Sequence, residues 1–296
     1  MSEYTIKPYD ESYIEKQVEI GNHFAQKWIT YGQSSVEQVK QAYSRDNFDP
    51  ETRLYCFKGN EMVGYIGATI QETEEEKIKR AQTRLAFVLP GHEEAFNLLW
   101  NELVEVLKKK EVAEIHTPQT KFHDNYIELA EGLGFSKLRT ANEMFVGKPG
   151  KMTKLDLDVE ASEYNHETDA EELKEIFFKA YENFGREGIE NYVNRMAENE
   201  NLYTKRSIKR DGKLIAFCNA GRTANEGYGQ IQTLIGVDRE YKKYAILDVM
   251  KNLESDVENV MVFLNPSLPL ELDEGEDFVS VGFEKTAAID IYEKKL

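Results

Sequence analysis

Cysteine is nearly absent from this chain, which contains only Cys56 and Cys218 among 296 residues. Two cysteines cannot build a disulfide framework, and here they form no CxxC zinc pair. Both lie within apolar runs, at residues 54–57 and 215–218, where a reduced thiol in the core is the usual occupant. The sequence therefore predicts free, buried cysteines and a reducing compartment.

Long hydrophobic runs are also missing. No stretch approaches the roughly 20 apolar residues that cross a bilayer. The first residues, MSEY, show neither the basic n-region nor the apolar h-region of a secretory signal. We therefore expect a cytoplasmic protein without a membrane partner.

The chain lacks an excess of positive charge. Lys and Arg number 37 against 54 for Asp and Glu, which gives a formal net charge of −17. Because a nucleic-acid backbone requires a cationic surface, this balance argues against nucleic acid as the main partner. It still allows a local basic pocket for a phosphorylated cofactor.

Metal-binding patterns are missing as well. The five histidines form no HExxH motif and show no metal-ligand spacing, so no metal is expected. His116 and His123 flank one loop and are interpreted as ordinary polar residues.

The chain does contain enough apolar material for two domains. Hydrophobic residues make up 41% of 296 residues, and this length is near twice the prior of about 150 residues for one domain. The segment GKPGK at residues 147–151 is typical of a linker. We predict an N-terminal domain at residues 1–147, a linker at 148–154 and a C-terminal domain at 155–296.

The two halves repeat the same pattern of elements. Each opens with amphipathic helices and continues with a hairpin, at residues 53–70 and 202–220. Each then has an apolar strand that leads into a long amphipathic helix, predicted from 93 to 110 and from 242 to about 257. Each closes with two strands after a Gly-Phe pair.

The spacing of these landmarks is nearly constant, which indicates an internal duplication of a mixed α/β unit. The offsets are 152 between the hairpin turns, 149 between the strand ends and 148 between the Gly-Phe pairs. The matched positions are Gly59 with Asp211, Val88 with Val237, and Gly134 with Gly282.

The junction between the apolar strand and the long helix is the predicted site of chemistry, because a helix N-terminus attracts phosphate groups. In the second half, Lys242 and Lys243 are predicted to begin the helix, where cations favour an anionic partner; the alternative is a solvated lysine pair. In the first half, Pro90, Glu93 and Glu94 suit a helix start without a ligand. We therefore expect a pyrophosphate to bind only in the second half.

The order of elements and the strand–helix junction resemble the GCN5-related N-acetyltransferases in a tandem arrangement, over nearly the whole chain. In that family Arg/Gln-x-x-Gly-x-Gly/Ala cradles the pyrophosphate of acetyl-CoA. The second half has KKYAIL at residues 242–247, whereas the first half has only PGHEEA at 90–95. The resemblance implies acetyl-CoA in the C-terminal domain and a degenerate N-terminal domain. The expected cofactor-binding residues are Ile235, Gly236, Val237, Lys242, Lys243, Tyr244, Ala245, Ile246, Leu247 and Asn265.

Three features depart from the family pattern. Leu247 replaces a small residue and would crowd the phosphate. Two prolines and a glycine within residues 265–275 predict a short or remodelled helix before the second Gly-Phe pair. Many family members place a tyrosine four residues before that glycine to protonate the thiolate, but Ala130 and Phe278 occupy these positions here. No catalytic residue is therefore predicted.

The resemblance implies transfer of an acetyl group to the amine of a small molecule or peptide. This reaction needs a deprotonated amine, a polarised thioester carbonyl and a proton for the thiolate. A backbone N–H near residues 235–237 would polarise the carbonyl. Glu226 is the nearest candidate base, or else a solvated turn residue, and Tyr181 and Phe184 lie where the family binds its acceptor. The acidic composition favours a cationic acceptor.

Two other functions remain open. A non-catalytic acyl-CoA-binding or ligand-sensing protein would agree with Leu247 and Phe278. An aminoacyl transferase that uses charged tRNA is disfavoured by the net charge of −17. The sequence predicts neither the acceptor nor the oligomeric state.

Overall fold

The computed structural model describes residues 3–28, 34–73, 77–181, 185–223, 225–253, 255–267 and 269–296, with the backbone alone at 73 and 269–273. The chain divides into two compact units. Unit 1 comprises Met1–Ala141 and Ala288–Leu296, and unit 2 comprises Asn142–Ala287. The predicted domain boundaries at residues 147 and 155 remain a prediction.

Helices and strands alternate along both halves, which confirms the mixed α/β class. The strands are β1 (Tyr4–Pro8), β2 (Arg53–Lys58), β3 (Glu61–Thr73), β4 (Ile78–Thr83), β5 (Phe87–Val88), β6 (Val112–Gln119), β7 (Ser136–Gly147), β8 (Glu160–Glu163), β9 (Leu202–Arg210), β10 (Lys213–Arg222), β11 (Tyr228–Gly236), β12 (Asn259–Leu264) and β13 (Glu284–Lys295). The helices are α1 (Ile14–Ala25), α2 (Val36–Tyr43), α3 (Glu93–Lys109), α4 (Tyr126–Gly132), α5 (His166–Ala180), α6 (Arg186–Ala197), α7 (Arg239–Lys251) and α8 (Pro269–Val281).

Each unit is built on a mixed sheet that contains one parallel pair. In unit 1 the strand order is β1-β2-β3-β4-β6-β13, with β5 paired to β3. In unit 2 the order is β7-β12-β11-β10-β9-β8. The parallel pairs are β4 with β6 and β11 with β12. A long helix, α3 or α7, connects the two strands of each pair.

The two long helices bury the faces that their sequence periodicity predicts. On α3 the buried side chains include Phe96, Leu99, Trp100, Leu103 and Leu107. On α7 they are Ala245, Ile246, Val249 and Met250. An apolar stripe at this spacing drives a helix onto a sheet, because the stripe leaves water as the helix packs. Among the described residues no helix is both long enough and apolar enough to span a bilayer.

The Gly-Phe pairs end α4 and α8 in the same way. Gly134 and Gly282 have positive φ angles of 86° and 110°, a conformation that glycine adopts without strain. The next residue then donates its N–H back into the helix: Phe135 to the Ala130 carbonyl at 3.0 Å, and Phe283 to the Phe278 carbonyl at 2.9 Å. Both pairs therefore form a helix C-cap of the Schellman type, and both phenylalanines are buried.

The prediction of two closing strands in each half was wrong. Each half ends in one continuous strand of 12 residues, β7 or β13. Neither segment contains a Gly, Pro or Asn-Gly turn signal in its interior, so nothing interrupts the extended chain. The second part of each strand belongs to the unit formed by the opposite half of the sequence, from Asn142 in β7 and from Ala288 in β13.

Of the two alternatives predicted for the segment before the second Gly-Phe pair, a short or a remodelled helix, the short helix was wrong. Helix α8 spans 13 residues, whereas its counterpart α4 spans seven. Pro266 precedes the helix and Pro269 is its first residue, where the missing N–H and the fixed φ of proline are tolerated. Gly275 is accommodated in the buried interior of the helix, where a Cβ would lie 3.2 Å from the Phe145 ring.

Candidate functional site

The parallel strands β11 and β12 separate within unit 2. They pair only at residues 228–230 with 259–261, although β11 continues to Gly236 and β12 to Leu264. A cavity of about 520 Å³ lies against the residues that follow, 231–234 and 262–264, where the two strands no longer pair with each other. Ligands in α/β proteins often bind at the carboxyl ends of parallel strands, so this cavity is the candidate site.

Helices α5, α6 and α8 supply the rest of the cavity wall. They include the aromatic side chains Phe177, Tyr192 and Phe278. The Phe177 and Tyr192 rings pack edge to face, with centroids 5.5 Å apart. Among the described lining residues, Arg195 and Glu274 are the two charged ones. The cavity is therefore mainly apolar, with one carboxylate and one guanidinium group on its wall.

Asp169 anchors α5, and with it one side of the cavity, to the sheet. Its buried carboxylate accepts hydrogen bonds from Ser207 Oγ at 2.7 Å and Lys209 Nζ at 2.6 Å, both on β9. Burial opposes ionisation of this carboxyl, but the hydrogen bonds from Lys209, Ser207 and Thr168 outweigh it and lower the pKa of Asp169. The helix start is therefore fixed by a buried, charged hydrogen-bond cluster.

Two hydroxyl groups in the cavity wall, one on α6 and one on β11, are hydrogen-bonded to each other. The Tyr192 hydroxyl forms a short hydrogen bond with Thr233 Oγ1, and both residues line the cavity. A phenol held in this way can donate a proton to a group inside the cavity and recover it through the neighbouring hydroxyl.

The lysine pair does not begin α7. The helix begins at Arg239, and the side chain of Asp238 caps it by accepting the N–H of Glu240 at 2.9 Å. Asp is a preferred N-cap residue because its carboxylate satisfies a free backbone N–H. Lys242 and Lys243 are therefore the fourth and fifth residues of the helix and not at the cap, and α7 ends at Lys251 rather than near Val257.

Both lysines are paired with carboxylates of the protein. Lys242 Nζ lies 3.0 Å from Glu274 Oε1, and the two side chains are only 13% and 11% exposed. Lys243 Nζ lies 2.8 Å from Glu240 Oε1 and 3.7 Å from Asp277 Oδ1. The hydrogen bond with Glu240 raises the pKa of Lys243. Neither lysine is the solvated pair considered from the sequence.

Arg239 completes this cationic cluster. It contacts Asp277 Oδ1 at 2.8 Å and Glu276 at 3.3 Å. Asp277 is fully buried, and its second oxygen, Oδ2, has no hydrogen-bond partner among the described residues. The start of α7 thus carries three cations, and the carboxylates of α8 face them.

The remaining predicted cofactor residues differ in their accessibility. Ala245 and Ile246 are fully buried in the core, Ile235 is buried, and Tyr244 and Leu247 pack partly against the core. These side chains therefore support the junction from inside.

The loop residues of the junction face solvent or are half-buried. Val237 is 56% exposed, and its N–H donates to the Ile215 carbonyl at 2.9 Å. That N–H is therefore already used within the sheet. Asn265 lies just after β12, and its Oδ1 accepts the N–H of Ser267 at 3.0 Å.

Gly236 lies under the side chain of Lys242. A Cβ at position 236 would be 2.9 Å from Lys242 Cγ and 3.0 Å from Ala216 Cβ. Glycine thus allows the lysine to cross the end of β11 and reach Glu274. This contact links the predicted phosphate-binding turn to the cavity wall.

In unit 1 a glutamate side chain occupies the equivalent junction between β5 and α3. Glu93 Oε1 accepts the N–H of Gly91 at 3.0 Å at the start of α3. Backbone hydrogen bonds from Glu93 and Gly91 lower the pKa of this carboxyl, so it stays ionised where a phosphate would otherwise bind. Among the described residues, no cation contacts the Glu93 carboxylate.

Other sequence candidates lie in different places. Tyr181, the residue just after α5, lines the cavity. Phe184 lies outside the described residues. Glu226 does not line this cavity; it is exposed before β11, on a separate polar cavity of about 580 Å³. The structure therefore does not bring Glu226 to the candidate site.

His116 and His123 do not form a common site. His116 Nε2 lies 3.4 Å from Glu114 and 3.3 Å from Glu293, and Arg80 pairs with the same Glu114. The guanidinium of Arg80 thus already offsets part of the negative charge of this cluster. His123 is buried and stacks on Trp28, with ring centroids 4.4 Å apart.

Four residues of the cavity wall were not predicted as functional candidates from the sequence: Tyr192, Thr233, Arg195 and Glu274. Tyr192 and Arg195 lie on an amphipathic helix that was predicted correctly, but periodicity does not distinguish a cavity wall from a core face. Thr233 was recognised only as part of a strand. Glu274 lies in the segment for which a short helix was expected.

The fold was compared with known proteins. No family model and no curated protein sequence matches the chain. A tandem GCN5-related N-acetyltransferase protein from the clavulanic acid biosynthesis pathway, solved without acetyl-CoA, aligns at a TM-score of 0.61 with 13% identity, over 99% of this chain and 98% of that one. A GCN5-related N-acetyltransferase from Sphaerobacter thermophilus aligns at 0.58 with 11% identity, over 100% and 96%.

Both alignments extend over essentially the whole of each chain. At these identities the likeness concerns the fold and not the chemistry. The expected architecture is thereby confirmed: this chain has the tandem fold of the GCN5-related N-acetyltransferases.

Proposed function

We propose that the protein is an acetyl-CoA-dependent N-acetyltransferase whose reaction takes place in the cavity of unit 2. The observation that carries this proposal is the cavity at the separation of β11 and β12, in a chain with the fold of tandem acetyltransferases. The cavity is large enough for a thioester arm and a small amine, since ligand pockets commonly measure about 300–1,000 Å³.

In the proposed reaction the amine nitrogen attacks the thioester carbonyl carbon. A carbon–nitrogen bond forms and the carbon–sulfur bond breaks, so the products are an amide and coenzyme A. The leaving thiolate takes a proton from the Tyr192 hydroxyl, and the proton that the amine loses returns to solvent. Thr233, hydrogen-bonded to Tyr192, passes a proton back to the phenolate.

The proposed position of the cofactor's anionic end is the start of α7. Arg239, Lys242 and Lys243 supply positive charge there, and the helix dipole adds to it. In this proposal the pyrophosphate replaces carboxylates of Glu240 and α8 as the partner of these cations. Residues 235–237, 244–247 and Asn265 then form or support the turn around the cofactor.

Unit 1 is proposed to bind no acetyl-CoA. The Glu93 carboxylate, which accepts the Gly91 N–H, already provides an anion at the α3 junction. A pyrophosphate would meet this charge as well as the neighbouring Glu94. We expect unit 1 to contribute to stability and architecture instead.

A thiol-release assay tests the proposed transfer. The full chain is incubated with acetyl-CoA and a panel of amines, and coenzyme A is measured with a thiol reagent. Cys56 and Cys218 are both buried, so the folded protein contributes little background. Because Tyr192 supplies the thiolate proton, Tyr192→Phe should lower kcat about 100-fold and leave the affinity for acetyl-CoA unchanged.

Two comparisons separate this role from a structural one. A thioester with a more acidic leaving thiol should restore most of the rate of Tyr192→Phe, since that thiolate needs no proton. Tyr203→Phe, at the separate polar cavity, should keep the wild-type rate. A Tyr192→Phe protein with wild-type kcat would refute the assignment of Tyr192.

The second candidate is a non-catalytic acyl-CoA-binding protein. It is favoured by buried Phe278, which has no hydroxyl at the position where the family often has a proton-donating tyrosine. Binding of acetyl-CoA without thiol release for any amine in the panel would support this candidate over the transferase.

A further inference from the structure

The acid on the cavity wall does not offer a free charge to a cationic ligand. Glu274 lines the cavity, but Lys242 contacts its carboxylate at 3.0 Å and both side chains are largely buried. A second ammonium group would meet a carboxylate that is already compensated, and it would also be repelled by Lys242. The local charge therefore opposes a polycationic acceptor, despite the overall charge of −17.

The remaining wall suits an apolar group. Phe177 and Tyr192 line the cavity together with Ile231, Leu264 and Phe278. A flat ring or a branched aliphatic chain would remove apolar surface from water here, which is worth about 25 cal/mol per Å² of buried area. Aromatic rings would gain further from edge-to-face contacts.

Arg195 provides a cation on the exposed part of the same wall. Its Nε donates to the Asn191 carbonyl of its own helix at 3.2 Å, and no described carboxylate forms an ion pair with its guanidinium. The two terminal nitrogens are therefore available to a ligand. A guanidinium binds a carboxylate through two parallel hydrogen bonds.

We infer that the acceptor is an amine that carries both an apolar side chain and a carboxylate, as an apolar α-amino acid does. The side chain occupies the aromatic part of the cavity, and the carboxylate binds Arg195. This inference rests on the proposed function and deepens it by naming the class of acceptor. Arg195 is then a residue that determines specificity and takes no part in the chemistry.

A matched set of amines tests the inference. L-phenylalanine and 2-phenylethylamine share the ring and the amine and differ in the carboxylate, whereas spermidine is a polycation. With the full chain and acetyl-CoA, we expect kcat/KM for L-phenylalanine to exceed that for 2-phenylethylamine at least tenfold, and spermidine to be the poorest acceptor.

Two arginine variants identify the source of the preference. Arg195→Gln should lower kcat/KM for L-phenylalanine at least tenfold more than kcat/KM for 2-phenylethylamine, and so abolish the preference. Arg186→Gln, on the same helix, should retain the preference, because Arg186 does not line the cavity and instead lies over the Phe178 ring. Equal preference in wild type and Arg195→Gln would overturn the inference, as would a higher rate with spermidine.

A binding measurement separates this inference from the proposed function. Calorimetric titration of L-phenylalanine and 2-phenylethylamine into the protein needs no turnover. Tighter binding of L-phenylalanine that Arg195→Gln removes would support the acceptor class, even if no amine were acetylated and the proposed function failed. Acetylation of 2-phenylethylamine as fast as L-phenylalanine would refute the acceptor class and leave the proposed function intact.

Discussion

His123 is a residue whose burial has a direct consequence for the stability of unit 1. Burial, assisted by the charge of Arg84, lowers the pKa of this imidazole to about 4, against about 6.5 in an unfolded chain. Between these values the unfolded chain binds a proton that the folded chain does not. The free energy of unfolding is therefore greatest above pH 6.5 and falls as the pH is lowered towards 4.

The expected loss from this group is up to about 3 kcal/mol. His123→Phe preserves a ring against Trp28 and removes the titration, so it should flatten the pH dependence between pH 6.5 and 4.5. Urea unfolding followed by tryptophan fluorescence measures this, because both tryptophans, Trp28 and Trp100, lie in unit 1. An unchanged slope in the variant would show that another group titrates.

Lys242 shows where reasoning at the residue scale fails. The sequence identifies a cation near a helix start and predicts a phosphate as its anionic partner, which remains a prediction. The partner in the structure is Glu274, which is 32 residues away and lies on a helix whose extent was not predicted. Local sequence cannot identify such a partner, because the contact depends on how α7 and α8 pack.

At the scale of elements, the role of the two Gly-Phe caps can be tested by substitution of their glycines. Gly134 and Gly282 need positive φ angles, which cost a residue with a Cβ about 1–2 kcal/mol. Gly134→Ala and Gly282→Ala should each lower the free energy of unfolding by about this amount. The larger loss is expected for Gly282, whose Cβ would lie 3.3 Å from a backbone atom, the Lys151 carbonyl oxygen, whereas a Cβ at Gly134 would meet only the movable end of the Lys294 side chain, at 3.1 Å.

Gly132 is a matched control for these variants. It ends α4 only two residues before Gly134, and a Cβ there would meet nothing within 4 Å. Gly132→Ala should therefore be neutral or stabilise the protein by about 0.5 kcal/mol. Denaturant titration measures all three variants, and equal losses at positions 132 and 134 would contradict the role of the positive φ angle.

Much of the element pattern follows from local sequence. The hairpins at residues 53–70 and 202–220, and the buried faces of α3 and α7, agree with their turn and periodicity signals. The length of helix α8 was underestimated because proline and glycine were weighted as breakers, although Pro269 occupies the first helical position. Boundary position decides whether a proline ends a helix or begins one.

At the scale of the whole molecule, the tandem architecture was predictable and the sharing of strands was not. The near-constant offset between landmarks indicated two similar halves. It carried no information on β7 and β13, whose later residues belong to the opposite unit. Strand pairing of this kind depends on contacts between residues far apart in sequence, which no local pattern contains.

The cavity also depends on contacts between residues that are far apart in the sequence. Its wall combines β11, β12, α5, α6 and α8, and only the assembled unit brings these elements together. The sequence predicted the junction that follows β11, but it could not identify Tyr192 and Arg195 as neighbours of that strand. Our central proposal is that only unit 2 binds acetyl-CoA.

Calorimetric titration of acetyl-CoA into the full chain tests this claim most directly. We predict one molecule bound per chain, and binding about tenfold weaker in Lys243→Gln, a loss of ~1.4 kcal/mol. Lys251→Gln, at the exposed end of α7, should match the wild type. Two equivalent molecules per chain, no binding at millimolar acetyl-CoA, or undiminished affinity in Lys243→Gln would contradict the account.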